Sequence, residues 1–159
     1  EGHLVRVGSL VQVADGEAAG LHTLDHDGRG LTPRSLAEVC SRVALVIDDE
    51  ASFCRFMARM ITSLGYEVIT TCQAKCAYLD ELKEPDVVFI DMVMPEMDGI
   101  QVLEVLADYK VKAAIVLMSG ADTSLSKAEA FAKRADLRLI GVLHKPFRLA
   151  DVQNIFAAD

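Results

Sequence analysis

Val87-Val88-Phe89-Ile90-Asp91-Met92-Val93-Met94-Pro95-Glu96-Met97-Asp98-Gly99 decides the fold. Four apolar residues run without a polar break and end on an acid. A strand with no polar face must be buried on both sides, as in a parallel sheet covered by helices. The acid then stands at the strand's carboxyl end, where open parallel sheets gather their ligands. Asp98-Gly99 starts a new periodic segment, with Ile100, Leu103 and Leu106 at helical spacing.

Working outward, the pattern repeats. Val43–Ile47 is another continuous apolar run, followed by Asp48-Asp49-Glu50. Phe53, Phe56, Met57, Met60, Ile61 and Leu64 then recur at helical spacing up to Gly65. Tyr66–Thr71 reads as a strand and Ala74–Leu82 as a short helix stopped before Pro85. Ala113–Met118 is an apolar strand leading into Ser119-Gly120, followed by a helix carrying Leu125, Ala128, Phe131 and Ala132. Leu139–Leu143 is the last strand, followed by His144-Lys145-Pro146-Phe147 and a helix carrying Leu149, Val152, Ile155 and Phe156. Five strands alternating with five helices predict an α/β, doubly wound parallel sheet over residues 43–159.

Residues 1–42 differ. Leu4–Val13 alternates loosely, as in a hairpin strand, Asp15-Gly16 and Asp27-Gly28-Arg29-Gly30 are turn signals, and Thr32-Pro33 starts a short helix ending near Cys40. This extension is too short and Gly-rich for its own core, so it is expected to pack on the main domain, a second copy or an upstream domain. Asp25–Gly30 imitates the start of a calcium loop, but Arg29 and Leu36 stand where oxygen ligands are needed, so a solvated turn is expected. The chain opens on Glu1 rather than Met, as in a fragment or a processed chain.

Composition narrows the function. The 159 residues are 52% hydrophobic and 25% charged, with a formal charge of −8. That acidity argues against gripping a phosphate backbone, so no direct nucleic-acid partner is expected. No apolar run reaches the roughly 20 residues that span a bilayer, and no secretory signal is present, so no membrane partner and a cytoplasmic location are expected. Cys40, Cys54, Cys72 and Cys76 form no CxxC pair and read as buried free thiols of a reducing compartment.

The strand ends carry the chemistry. Asp48 and Asp49, Asp91, Ser119 and Lys145 each follow a different strand, so acids, a hydroxyl and an ammonium converge on one edge. Two unit charges about 5 Å apart repel by roughly 3 kcal/mol at an effective dielectric of 20. A hard cation with oxygen ligands, Mg²⁺, and the Lys145 ammonium offset this. A carboxylate beside Mg²⁺, a lysine and a hydroxyl suits phosphoryl transfer.

With these motifs in place, residues 43–159 resemble the receiver domain of two-component response regulators, which implies a flavodoxin-like sheet of five strands in the order 2-1-3-4-5. The resemblance rests on Asp48-Asp49, on Asp91 within Phe-Ile-Asp-Met-Val-Met-Pro-Glu-Met-Asp-Gly, on Ser119, and on Lys145 in Lys-Pro-Phe. It implies that Asp91 is the phosphoacceptor, taking a phosphoryl group from the phosphohistidine of a sensor histidine kinase or a histidine phosphotransfer protein. It implies Mg²⁺ on Asp48, Asp49, Asp91 and the Val93 carbonyl, Ser119 and Lys145 on the phosphoryl oxygens, and a cis Lys145-Pro146 bond. It also implies a switch rather than a turnover enzyme, read out on the fourth helix, fifth strand and fifth helix. Leu125, Arg138, Arg148 and Val152 are the candidate contacts there, and a second copy of the chain is a further candidate partner.

Departures from the family pattern shape further expectations. Val142 stands where many receivers carry Tyr or Phe, so output is expected through the Ser119–Asp122 loop and the following helix. Val93 and Ala121 are apolar, so neither orients a hydrolytic water, and a long-lived phosphoryl-Asp91 is expected. His144 is expected on the rim, facing away from Lys145. The segment Leu139–Leu149 is similar to receivers that precede cyclic-di-GMP phosphodiesterase domains, one candidate for an output domain; a stand-alone receiver is the other arrangement. A haloacid-dehalogenase-type phosphatase needs a second acid where Val93 stands, and a flavodoxin's phosphate loop conflicts with Asp48-Asp49-Glu50. A phosphorylation-independent interaction module is the alternative function.

Overall fold

The computed structural model describes residues 5–7, 42–71, 84–95, 97–120 and 125–159. Its elements run β1 (Val5–Val7), β2 (Arg42–Ile47), α1 (Ala51–Thr62), β3 (Tyr66–Thr71), β4 (Val87–Asp91), α2 (Gly99–Asp108), β5 (Ala114–Ser119), α3 (Leu125–Arg134), β6 (Leu139–His144) and α4 (Leu149–Ala158). The sheet order is β1-β3-β2-β4-β5-β6. Strands β3, β2, β4, β5 and β6 are all parallel, which is the predicted 2-1-3-4-5 order.

A sixth strand is added to that plan. β1 pairs antiparallel with the outer edge of β3, Val5 opposite Thr70 and Val7 opposite Val68. An open strand edge presents unpaired N–H and C=O groups, and this short segment covers part of it. The other expectations for residues 1–41, the helix at 74–82 and the Ser119–Asp122 loop beyond Gly120 lie outside the described residues. So do Cys40, Cys72, Cys76, Ala121 and the Asp25–Gly30 turn.

Alternation along the strands sends side chains to two cores. Val43, Leu45 and Ile47, Val88 and Ile90, and Ile115 and Leu117 face α2 and α3. Ala44, Val46, Phe89, Val116 and Met118 face α1 and α4. Both faces of β2, β4 and β5 are therefore buried, which explains their uninterrupted apolar sequences. Asp98 caps α2: its side chain accepts from the Gln101 N–H at 2.9 Å while the Gln101 side chain accepts from the Asp98 N–H at 3.0 Å. α1 ends at Thr62, and Gly65 takes φ +87° in the turn that follows.

Helical phase corrects two expected surface residues. Val152 on α4 is 0% exposed and Leu125 on α3 is 8% exposed, so both are core rather than contact residues. Arg138 and Arg148 are exposed, with Arg138 ion-paired to Asp159. Val142 packs against the core shared with α2 and α3.

β6 and α4 approach closely at Gly141. A Cβ there would lie 2.7–2.9 Å from Cδ1, Cγ1 and Cγ2 of Ile155. Ile155 branches at its β-carbon and cannot swing aside cheaply. Gly141→Ala is expected to cost about 1–3 kcal/mol by overpacking. In an Ile155→Ala background most of that cost should vanish in urea unfolding; an equal cost in both backgrounds would contradict this packing.

Candidate functional site

Strands β2, β4, β5 and β6 all end at one edge, and that geometry assembles the site. Asp48 follows β2 directly, its N–H donating to the Thr71 carbonyl at the end of β3, 3.2 Å. Asp91 is the last residue of β4, opposite Met118 of β5. Ser119 is the last residue of β5, opposite His144 of β6. The Lys145 N–H donates to the Ser119 carbonyl at 2.7 Å, so the lysine backbone is tied to the neighbouring strand. The Lys145-Pro146 bond is cis, as the resemblance implied.

The side chains converge. Asp48 and Ser119 are fully buried, Asp91 is nearly so, and Asp49 is exposed. Carboxylate oxygens of Asp48, Asp49 and Asp91 lie within 4.8 Å of one another. Lys145 Nζ donates to Asp48 Oδ2 at 2.8 Å and sits 3.2 Å from Asp91 Oδ2. Asp48 Oδ1 accepts from the Glu50 N–H at 2.9 Å, and Asp91 Oδ1 from the Val93 N–H at 3.4 Å. Asp48 is thus no helix cap: Glu50 holds the N-cap position of α1, and its side chain bonds Ser52 instead.

Burial pushes the Asp91 carboxyl above its ordinary pKa; Lys145 pulls it down, Asp48 pushes it up, and the net shift is upward. Burial works against the Lys145 charge, but the hydrogen bond and charge of Asp48, joined by Asp91, outweigh it and raise the lysine pKa. One ammonium therefore serves two buried carboxylates, and the third acid opens the group to solvent. Three hard oxygen donors at a partly open edge fit a divalent cation such as Mg²⁺ that keeps some of its water.

Val93 projects outward, 62% exposed. His144 is exposed at the end of β6. Phe147 is buried in the core under α1 and α4. Cys54 is buried, its thiol 3.3 Å from the Asp48 carbonyl. Sequence reading missed two features: the direct Lys145–Asp48 ion pair and the Phe53 ring, whose centroid lies 4.0 Å from Lys145 Nζ. The i, i+3 pair Phe53 and Phe56 is the available signal, but it fits the apolar stripe of α1 equally well. Phe56 is in fact 45% exposed.

Comparison with known proteins agrees with this geometry. A family model described as the response regulator receiver domain matches residues 44–157. The transcriptional regulatory protein PdtaR of Mycobacterium tuberculosis is 30% identical over 125 residues, which is 77% of this chain and 58% of PdtaR. The chain spans about half the length of the curated relatives it matches. A response regulator from Colwellia psychrerythraea superposes with a TM-score of 0.63 at 26% identity, covering 73% of this chain and 94% of that one. TrrA of Thermotoga maritima, solved with Mg²⁺ and BeF, shares the fold at a TM-score of 0.61 and 20% identity, covering 73% of this chain and 96% of that one. Among the described residues, no helix is long and apolar enough to cross a membrane.

Proposed function

Because this chain belongs to the response regulator receiver family, we propose that it is a cytoplasmic phosphorylation switch with Asp91 as phosphoacceptor. The observation that carries this is the Asp91 carboxylate gathered with Asp48 and Asp49 and bridged to Asp48 by Lys145. An Asp91 oxygen attacks the phosphorus of a phosphohistidine on a sensor kinase or phosphotransfer protein. The O–P bond forms as the N–P bond breaks, and the departing nitrogen keeps the bonding pair and takes a proton from solvent. Asp48, Asp49, Asp91 and the Val93 carbonyl would hold Mg²⁺, which supplies positive charge for the transferring oxygens. Lys145 shifts from its two carboxylates toward the phosphoryl group, and the Ser119 hydroxyl donates to one of its oxygens. The protein works as a switch rather than a turnover enzyme.

Addition of the phosphoryl charge at this edge is read out on α3, β6 and α4, where an output domain or a separate partner docks. Val142 lacks the ring that would move with Ser119, so the displacement runs through the segment after β5 into α3.

Beryllofluoride, a phosphoryl mimic, tests the site. With Mg²⁺ it is expected to bind in a 1:1 ratio by fluorine NMR, and Asp91→Asn is expected to bind none. Binding that survives in Asp91→Asn would move the acceptor elsewhere.

The lifetime of the phosphorylated form follows from Val93. Its exposed side chain offers no polar atom to orient an attacking water. Val93→Asn is expected to speed loss of the phosphoryl group on the order of tenfold, read as decay of the phosphorylated mass. An unchanged decay would remove Val93 from control of the lifetime.

A further inference from the structure

Lys145 has a third neighbour that the proposed transfer chemistry does not use. Its Nζ lies over the face of Phe53, 4.0 Å from the ring centroid. The negative face of an aromatic ring attracts a cation within about 6 Å, more strongly when water is partly excluded. Here Lys145 is 23% exposed, so exclusion is substantial. The ammonium thus meets Asp48 at 2.8 Å, Asp91 at 3.2 Å and an aromatic face on a third side.

The ring is itself held. Phe147, buried just beyond the Lys145-Pro146 bond, meets Phe53 edge-on, with centroids 5.8 Å apart and planes at 90°. Phe56, one turn along α1, leans on Phe53 at 5.8 Å and 42°. Edge-to-face and tilted pairs are the favoured aromatic geometries. A half-buried ring clamped in this way has little freedom to turn its face from the lysine.

We propose that Phe53 is a positioning residue for phosphoryl transfer, its ring face keeping the Lys145 ammonium against Asp91 as the lysine exchanges carboxylate for phosphoryl oxygen. This rests on Asp91 being the phosphoacceptor. A hydrogen bond is lost once its geometry fails, whereas attraction to a ring face varies gently as the cation slides across it. The ring therefore holds the ammonium along a path. It also occupies the side from which water would compete for the charge. Without it, Lys145 samples hydrated positions that do not meet the incoming group, and the loss appears in transfer rate.

The test replaces Phe53 site-specifically with 3,5-difluorophenylalanine in the full chain. The shape is nearly kept while the negative potential of the face is weakened. Phosphoryl uptake from a small acyl phosphate at saturating Mg²⁺ is followed by intact mass, beside thermal unfolding. Uptake is expected to fall about threefold in the fluorinated chain and about tenfold in Phe53→Leu, at unchanged melting temperature for the fluorinated chain. Wild-type rate in the fluorinated chain, or a rate loss that merely follows a loss of stability, overturns the positioning role. A wild-type chain that is phosphorylated, with uptake lost in Asp91→Asn, keeps the site reading intact in either case. A wild-type chain that takes up nothing overturns both.

Discussion

Lys145→Met is expected to destabilise the protein by about 2–3 kcal/mol in the presence of a chelator, and to slow phosphoryl uptake on the order of a hundredfold. The stability loss comes from Asp48. Its carboxylate is fully buried and accepts from the Lys145 ammonium and the Glu50 N–H. Removing one partner of a buried pair leaves an uncompensated charge and costs roughly 3–5 kcal/mol. Lys145 is 23% exposed, so water recovers part of that here. Mg²⁺ is expected to restore most of the stability, because a cation on the same acids replaces the missing charge and binds only the folded chain. The rate loss has a separate origin. Removing one preorganised group that meets developing charge costs on the order of 10²–10³ in rate, and added Mg²⁺ does not rebuild it. Chemical denaturation with and without Mg²⁺ separates the two effects. A variant within 0.5 kcal/mol (a rough threshold for surface substitutions) of wild type in chelator would show that the ammonium does not hold these acids.

Asp91→Asn is expected to move stability the other way, raising it by about 1 kcal/mol in chelator while abolishing phosphorylation. Asp48 and Asp91 share one ammonium, and Asp49 adds a third negative charge at the rim. An amide at position 91 still accepts from Lys145 and the Val93 N–H, but leaves a single buried carboxylate to be matched. The pH dependence fixes the sign. Burial, outweighing the pull of Lys145, raises the Asp91 pKa on folding, so its ionised form opposes folding. That penalty is fully present above the raised value and is relieved as pH falls through it toward the unfolded value. The advantage of Asp91→Asn should therefore be largest at neutral pH and shrink on acidification. Added Mg²⁺ should stabilise wild type more than the variant. A variant less stable than wild type at neutral pH in chelator would contradict the shared-ammonium geometry.

Much of this architecture is legible in the residues. Val43–Ile47, Val87–Ile90 and Ala114–Met118 are apolar at every position because helices cover both faces of the sheet at β2, β4 and β5. An acid or hydroxyl after such a run stands out, and the rule that strand ends gather ligands brings Asp48, Asp91, Ser119 and Lys145 to one edge. What escapes a linear reading is set by space. Val5–Val7 lies within the Leu4–Val13 segment read as a hairpin strand, but its place in the sheet comes from the free edge of β3, which no local pattern announces. Leu125 and Val152 are apolar residues of amphipathic helices, and only the packing of α3 and α4 shows that they face inward. Phe53 looks like one more member of the α1 stripe until the fold brings the Lys145 ammonium, at the end of β6, over its ring.

The most direct measurement is covalent. Incubated with Mg²⁺ and a small acyl phosphate, the wild-type chain is expected to gain one phosphoryl group by intact mass, mapped by peptide analysis to Asp91. Chelating the metal should suppress the gain, and Asp91→Asn should show none. A phosphoryl group that maps to another residue, or a wild-type chain that stays unmodified while Asp48, Asp49 and Asp91 demonstrably bind Mg²⁺, would contradict a phosphoacceptor role for Asp91.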